Sequence, residues 1–204
     1  MMKLNKLSSL LGASLVASMA VFSAPVFAEA TTGTAATTAH LDFTIVIPAT
    51  LSFRVGALAA GISAISFTPT AAQLGTGALA ATAASGDLGN GVVTASVKGN
   101  KSQITINAAT TGALTEAAST NTIPWTQITT VATTLTSAAA ILPAPVIPAT
   151  GTGANVSAPA PVAGITTADA RWTYSYANST LPAAGTYGAT VAKNGRVTYT
   201  ASMP

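Results

Sequence analysis

The amino-acid sequence predicts one antiparallel all-β domain, and three observations carry that prediction. Apolar and polar side chains alternate with a period of two, most clearly over residues 40–47, 51–55 and 172–176. Asn and Gly stand where strands would reverse, above all at Asn194-Gly195, because both accept the positive φ of a tight hairpin turn. Pro48 and Pro69 close apolar stretches instead of interrupting them, as expected of a residue with no N–H to give a ladder.

The beginning of the chain has a different character. Lys3 and Lys6 form a short basic head, an apolar stretch runs over residues 10–22, and small residues surround Ala28. That order of zones is a secretory signal, with cleavage expected after Ala28 and Ala30 as the second candidate. The apolar stretch is shorter than the roughly 20 residues that cross a bilayer, so no membrane span is expected once residues 1–28 are removed. The mature product is expected to pass through a periplasm and be secreted or held at the cell surface. Residues 29–39 are Thr, Ala and Gly for the most part, too poor in apolar surface to fold alone, and are read as a flexible tail. The β-domain occupies residues 40–204.

Within it, Leu41, Phe43, Ile45 and Ile47 point one way, and His40, Asp42, Thr44 and Val46 the other. Leu51, Phe53 and Val55 resume the alternation against Ser52 and Arg54, and Gly56 ends it. Ile65 and Phe67 head a short third strand, while residues 70–90 have weak periodicity and read as loop with a single helical turn. Val93, Ala95 and Val97 are expected to face Ile104 and Ile106 in a hairpin, turning at Lys98-Gly99-Asn100-Lys101. Residues 126–135 are β-branched enough for another strand. Over residues 137–168, Pro143, Pro145, Pro148, Pro159 and Pro161 remove donors at short intervals, which predicts a long Pro/Ala/Thr-rich loop. Trp172, Tyr174 and Tyr176 then share one face of a strand. Tyr187 and Val191 form the next strand, Asn194-Gly195 is the hairpin turn, and Val197, Tyr199 and Ala201 return as the last strand.

Composition narrows the function. Without residues 1–28 the chain keeps six basic and five acidic residues, a net charge of +1 with no basic patch to release counterions from a nucleic-acid backbone, so nucleic acid is not an expected partner. Charged residues make up 6% of the sequence, against about 25% in ordinary soluble domains, and such a surface repels its own copies little. With no cysteine there is no disulfide staple and no lipid-bearing thiol. One His, no Cys and five scattered acids leave little for acid–base or nucleophilic chemistry; no enzymatic activity, cofactor or metal is expected. A glycosidase would need folding to bring two of these acids together, for instance Asp87 and Asp169. His40 and Asp42 share a strand face, but two ligands make no metal site, and Asp87-Leu88-Gly89-Asn90-Gly91 reads as a turn because it lacks the closing Glu of a calcium loop. Asn100, Asn155 and Asn178 each begin a glycosylation-type triplet, a pattern that arises by chance in such a chain. Trp172, Tyr174 and Tyr176, with Trp125, are the candidate contacts of a carbohydrate-binding or adhesive module if exposed, and core residues otherwise.

Residues 182–188, Pro-Ala-Ala-Gly-Thr-Tyr-Gly, followed by residues 195–201, Gly-Arg-Val-Thr-Tyr-Thr-Ala, resemble the closing strands of bacterial pilin-like β-sandwich proteins, including chaperone–usher subunits of the spore-coat-U type. Residues 43–56, with their internal Ile-Pro, resemble the first strands of other exported bacterial β-proteins. The resemblance implies an immunoglobulin-like antiparallel β-sandwich that polymerises by strand donation, with copies of itself and a periplasmic chaperone as partners. It departs from the family in having no cysteine and in its long Pro-rich segment. The expectation is therefore a structural subunit of an extracellular filament or surface homopolymer, with Leu41, Phe43, Ile45 and Ile47 as the inserting face of the donated strand. The alternative is a monomeric adhesion or carbohydrate-binding module.

Overall fold

Strands form where the two-residue alternation finds both a partner ladder and an apolar surface to cover. The computed structural model describes residues 31–58, 61–136 and 140–204; residues 1–28, where an export signal is expected, and the first three residues of the 137–168 stretch lie outside the described residues. The chain divides into two units, Met1–Ile47 and Pro48–Pro204.

In the first unit, residues 31–47 carry neither helix nor strand, and the Thr31 hydroxyl donates to the Thr38 carbonyl at 2.7 Å. The strand predicted over residues 40–47 is therefore corrected. Its alternation is intact, but a lone strand has no ladder to satisfy its backbone and no sheet to bury its apolar face.

Among its described residues the second unit holds twelve strands: β1 (Leu51–Val55), β2 (Leu79–Ala80), β3 (Val92–Gly99), β4 (Thr105–Thr110), β5 (Leu114–Thr115), β6 (Thr122–Ile123), β7 (Ile128–Thr133), β8 (Ala140–Ile141), β9 (Gly151–Thr152), β10 (Val156–Ser157), β11 (Thr166–Tyr176) and β12 (Thr198–Ser202). The eleven-residue β11 organises the first sheet. It pairs antiparallel with β3, β7 and β2 and parallel with β8, and β1 lies outside β3. In the second sheet, β4 is central and pairs antiparallel with β12, β9 and β10. β5 and β6 form a separate two-stranded ribbon. This is the all-β sandwich expected from the sequence.

The interior lies between the two sheets. Val93, Ala95 and Val97 of β3, Ala168, Ala170 and Trp172 of β11, and Ile104 and Ile106 at β4 are buried in one cluster. Trp172 packs against Tyr199 of β12 with ring centroids 5.3 Å apart, and the Tyr174 and Tyr199 hydroxyls meet at 2.8 Å, so one sheet is joined to the other by aromatic and polar contact together.

Three further predictions are corrected. β3 and β4 do not form a hairpin: their apolar faces do oppose each other, but across the interior, because residues 98–104 cross from one sheet to the other. Gly99 packs closely there, a Cβ falling 2.9 Å from Ile104 Cδ1 and 2.8 Å from Met203 Sδ, both ends of flexible side chains. Asn194 does take the left-handed conformation, at φ 58°, but it ends a 3₁₀ turn over Val191–Lys193 and no hairpin forms. Residues 65–67 are not a strand; Ile65 and Phe67 nevertheless pack on the interior, Phe67 against the Tyr176 ring at 6.0 Å. The Pro-rich stretch is structured where it is described. It supplies three short edge strands, and it buries Leu142, Pro145 and Ile147. Its five prolines all lie outside these strands, so none has to donate to a ladder.

Asn178 is fully buried at φ 49°. Its amide donates to the Gln73 and Gly77 carbonyls and accepts from the Gly75 N–H at 3.2 Å, which fastens the loop ahead of β2 to the end of β11. Substituting Asn178→Ala removes all three hydrogen bonds, although the Gln73 carbonyl keeps those from the Thr76 N–H and hydroxyl, and it leaves a residue without local polar support in the left-handed region, at an expected cost of about 1–3 kcal/mol. Urea unfolding monitored by circular dichroism measures this, and a loss under about 0.5 kcal/mol would contradict the assignment.

Candidate assembly site

Leu41, Phe43, Ile45 and Ile47 are 69%, 83%, 85% and 76% exposed. Four large apolar side chains at alternate positions are thus presented to solvent on one continuous seven-residue segment, with the polar Asp42 and Thr44 between them. Isolated exposed apolar residues are commonplace, but a contiguous apolar patch marks a surface that something else covers.

Ahead of β1, Pro48 and Thr50 are held by Asn100. Its side-chain amide donates to the Pro48 carbonyl at 2.9 Å and accepts from the Thr50 N–H at 2.7 Å, while its own N–H donates to the Thr50 carbonyl at 3.3 Å. Pro48 and Thr50 both direct backbone groups to the β3 side, as alternate residues of a strand do. Asn100, the first residue of a glycosylation-type triplet, is engaged in this bracket, and Asn178 is buried.

β1 is an edge. Among the described residues it pairs with β3 alone. Leu51, Phe53 and Val55 face the interior side, and Phe53 and Val55 are only half-buried against the core. Ser52 and Arg54 face outward, Arg54 in the cross-strand row that continues through Ser96 to Asp169.

The aromatic residues considered as ligand contacts are core residues. Trp125, Trp172, Tyr174 and Tyr176 are all buried, Trp172 completely. The indole N–H of Trp125 donates to the Gly112 carbonyl at 2.7 Å and that of Trp172 to the Leu142 carbonyl at 2.9 Å. Their assignment as sugar-stacking contacts is corrected, since a ring packed on both faces has none left for a sugar. Alternation told that three of them share a face; that the face is the inner one followed from the scarcity of other large residues in this half of the chain.

The acidic residues weighed for glycosidic chemistry are engaged separately. Asp87 accepts from the Thr94 N–H at 2.8 Å, and Asp169 from the Thr136 N–H and hydroxyl at 3.3 and 2.8 Å, so each carboxylate holds a loop to a strand. Among the described residues no three His, Cys, Asp or Glu side chains are grouped to hold a metal ion, and no helix is long and apolar enough to cross a membrane. The bracket at Asn100 and the edge at β1 are the site features that sequence reasoning missed. The one signal for them was that Asn100 sits in the Lys-Gly-Asn-Lys corner, which reads more simply as a turn. Comparison with protein-family models, curated proteins and solved structures finds no match to this chain.

Burial pushes the Tyr174 phenol up to about 12, the hydrogen bond with Tyr199 partly offsetting it. Burial also raises Tyr199, and the neighbouring Tyr174 raises it further. An unfolded tyrosine ionises near pH 10, so the unfolded chain releases these protons first and stability falls as pH rises from 10 to about 12. The urea midpoint is expected to hold below pH 10 and to drop above it. Tyr199→Phe should reduce the steepness of that drop, and an unchanged slope would show that the pair is not coupled to folding.

Proposed function

We propose that this chain is an exported structural subunit of an extracellular filament or surface homopolymer, in which residues 41–47 of one copy complete a sheet of the next. The observation that carries the reading is the exposed alternation of Leu41, Phe43, Ile45 and Ile47 on a segment outside the β-domain. A strand added to a sheet edge gains main-chain hydrogen bonds, and its alternate side chains supply the apolar contact. Burying four such side chains is worth roughly 1.5–3 kcal/mol each, enough in total to compete with an association cost of about 4–15 kcal/mol. The low charge of the surface adds little repulsion between copies. The basic head and apolar stretch of residues 1–28 support export. No catalytic role is part of this reading, and the burial of Trp125, Trp172, Tyr174 and Tyr176 leaves the carbohydrate-binding alternative without its contacts.

Deleting residues 29–47 from the mature chain should leave a soluble, folded domain that no longer assembles, because none of these residues belongs to the described sheets. Phe43→Asp should act the same way, with a thermal midpoint within about 2 °C of the parent, the change being at an exposed site outside the domain. Negative-stain electron microscopy of the three proteins at equal concentration reads the result. Filaments of undiminished length from the deleted chain would end the strand-donation reading.

A further inference from the structure

We infer that the acceptor of the donated segment is the free edge of β1 in a second copy of this chain, paired antiparallel so that Asp42 lies opposite Arg54. The inference rests on the strand-donation reading and adds the edge and the register. The sandwich offers other edges, among them β7 in the first sheet and β12 in the second, and they differ in what they present to the outward face of residues 41–47. Over residues 41–47 that face carries Asp42, Thr44 and Val46, with Asp42 its one charge. The outward face of β7 is Thr129, Val131 and Thr133, and that of β12 is Thr198, Thr200 and Ser202, so neither offers a charge. β1 offers Arg54.

With Asp42 across from Arg54, antiparallel pairing sets Leu41 against Val55, Phe43 against Phe53 and Ile45 against Leu51, all on the interior side. Opposite charges and aromatic pairs directly across a sheet are each favourable, and one register satisfies both. A slip of one residue would turn the apolar set outward.

The occupant is a second copy because the chain's own segment is denied the edge. Folding residues 41–47 back onto β1 requires a reversal at residues 48–50, which Asn100 holds in a strand-like arrangement through three hydrogen bonds. A neighbouring chain approaches without that reversal.

The absence of native cysteine makes oxidative cross-linking a clean test. Mature chains carrying Phe43→Cys are co-assembled with chains carrying Phe53→Cys and oxidised; Leu41→Cys with Val55→Cys repeats the test should the first pair fold or assemble poorly. A covalent dimer formed by the mixture and at least tenfold less by either chain alone is the expected result. Asp42→Arg and Arg54→Asp should each shorten or abolish filaments, and mixing the two variants should restore them. Filaments that form normally but cross-link residue 43 to Ala201→Cys of β12, and not to residue 53, would overturn the β1 edge while leaving strand donation standing. A Phe43→Cys/Phe53→Cys double variant that closes within one monomer would overturn the second copy as occupant. No assembly by the parent chain at any concentration would remove the underlying reading as well.

Discussion

The packing of Trp172 against Tyr199 holds the sandwich together, since it is where the long central strand of one sheet meets the last strand of the other. The chain is rich in Ala, and Ala95, Ala168 and Ala170 supply much of the inner face of the first sheet. Small side chains contribute little apolar area, so the interior depends on a few large ones to reach across. Trp172 does so from β11, Ile104 and Ile106 answer from the second sheet, and Leu142 comes in from the Pro-rich stretch to accept the indole N–H. The Tyr174–Tyr199 hydrogen bond satisfies two hydroxyls in the place where leaving them unpaired would be costly.

The sequence made the individual strands legible more readily than their partners. Alternation identified β1, β3, β11 and β12, because a half-buried strand must repeat every two residues whatever it pairs with, and β-branched composition identified β7. It said nothing about which sheet each strand joins. Val93–Val97 and Ile104–Ile106 look like a hairpin because both are apolar and a Gly-Asn corner lies between; the same pattern arises when two strands face each other across a core, and here the corner crosses between sheets. At Asn194 the local conformation was legible and its context was not: a left-handed residue ends a 3₁₀ turn as readily as it makes a hairpin. The Pro-rich stretch misled most, since a proline bars only its own position from a ladder: β8, β9 and β10 form clear of the prolines, and Thr166–Ala168 begin β11 beyond the last of them.

The candidate site was legible as a pattern of side chains and illegible as a place. Leu41, Phe43, Ile45 and Ile47 were visible as one face of a strand, but whether that strand lies inside its own sheet is a question about partners. The answer depends on Asn100, fifty residues from Thr50 along the chain, whose side chain occupies the position of a further ladder residue. Local sequence carries no trace of such a contact. The same limit explains the aromatic strip, where identical alternation describes a sugar platform and a buried face.

An exposed apolar segment and an open sheet edge are each hazards for a soluble protein, and natural sheets usually blunt their edges with charge, proline or a covering loop. This chain has few charges to use, and it places one of them, Arg54, on the edge strand and another, Asp42, in the apolar segment. A lone outward charge on each of two complementary surfaces discourages pairing of either surface with itself: two Asp42 segments or two β1 edges brought together in matching register set like charges opposite, while the mixed pairing sets unlike charges opposite. Head-to-tail pairing of this kind does not close into a symmetric dimer when the two surfaces lie on different parts of the molecule, and it continues from copy to copy. In the proposed assembly, scarcity of charge and polarity would thus be linked, because on a nearly neutral surface two well-placed ions suffice to give a contact direction.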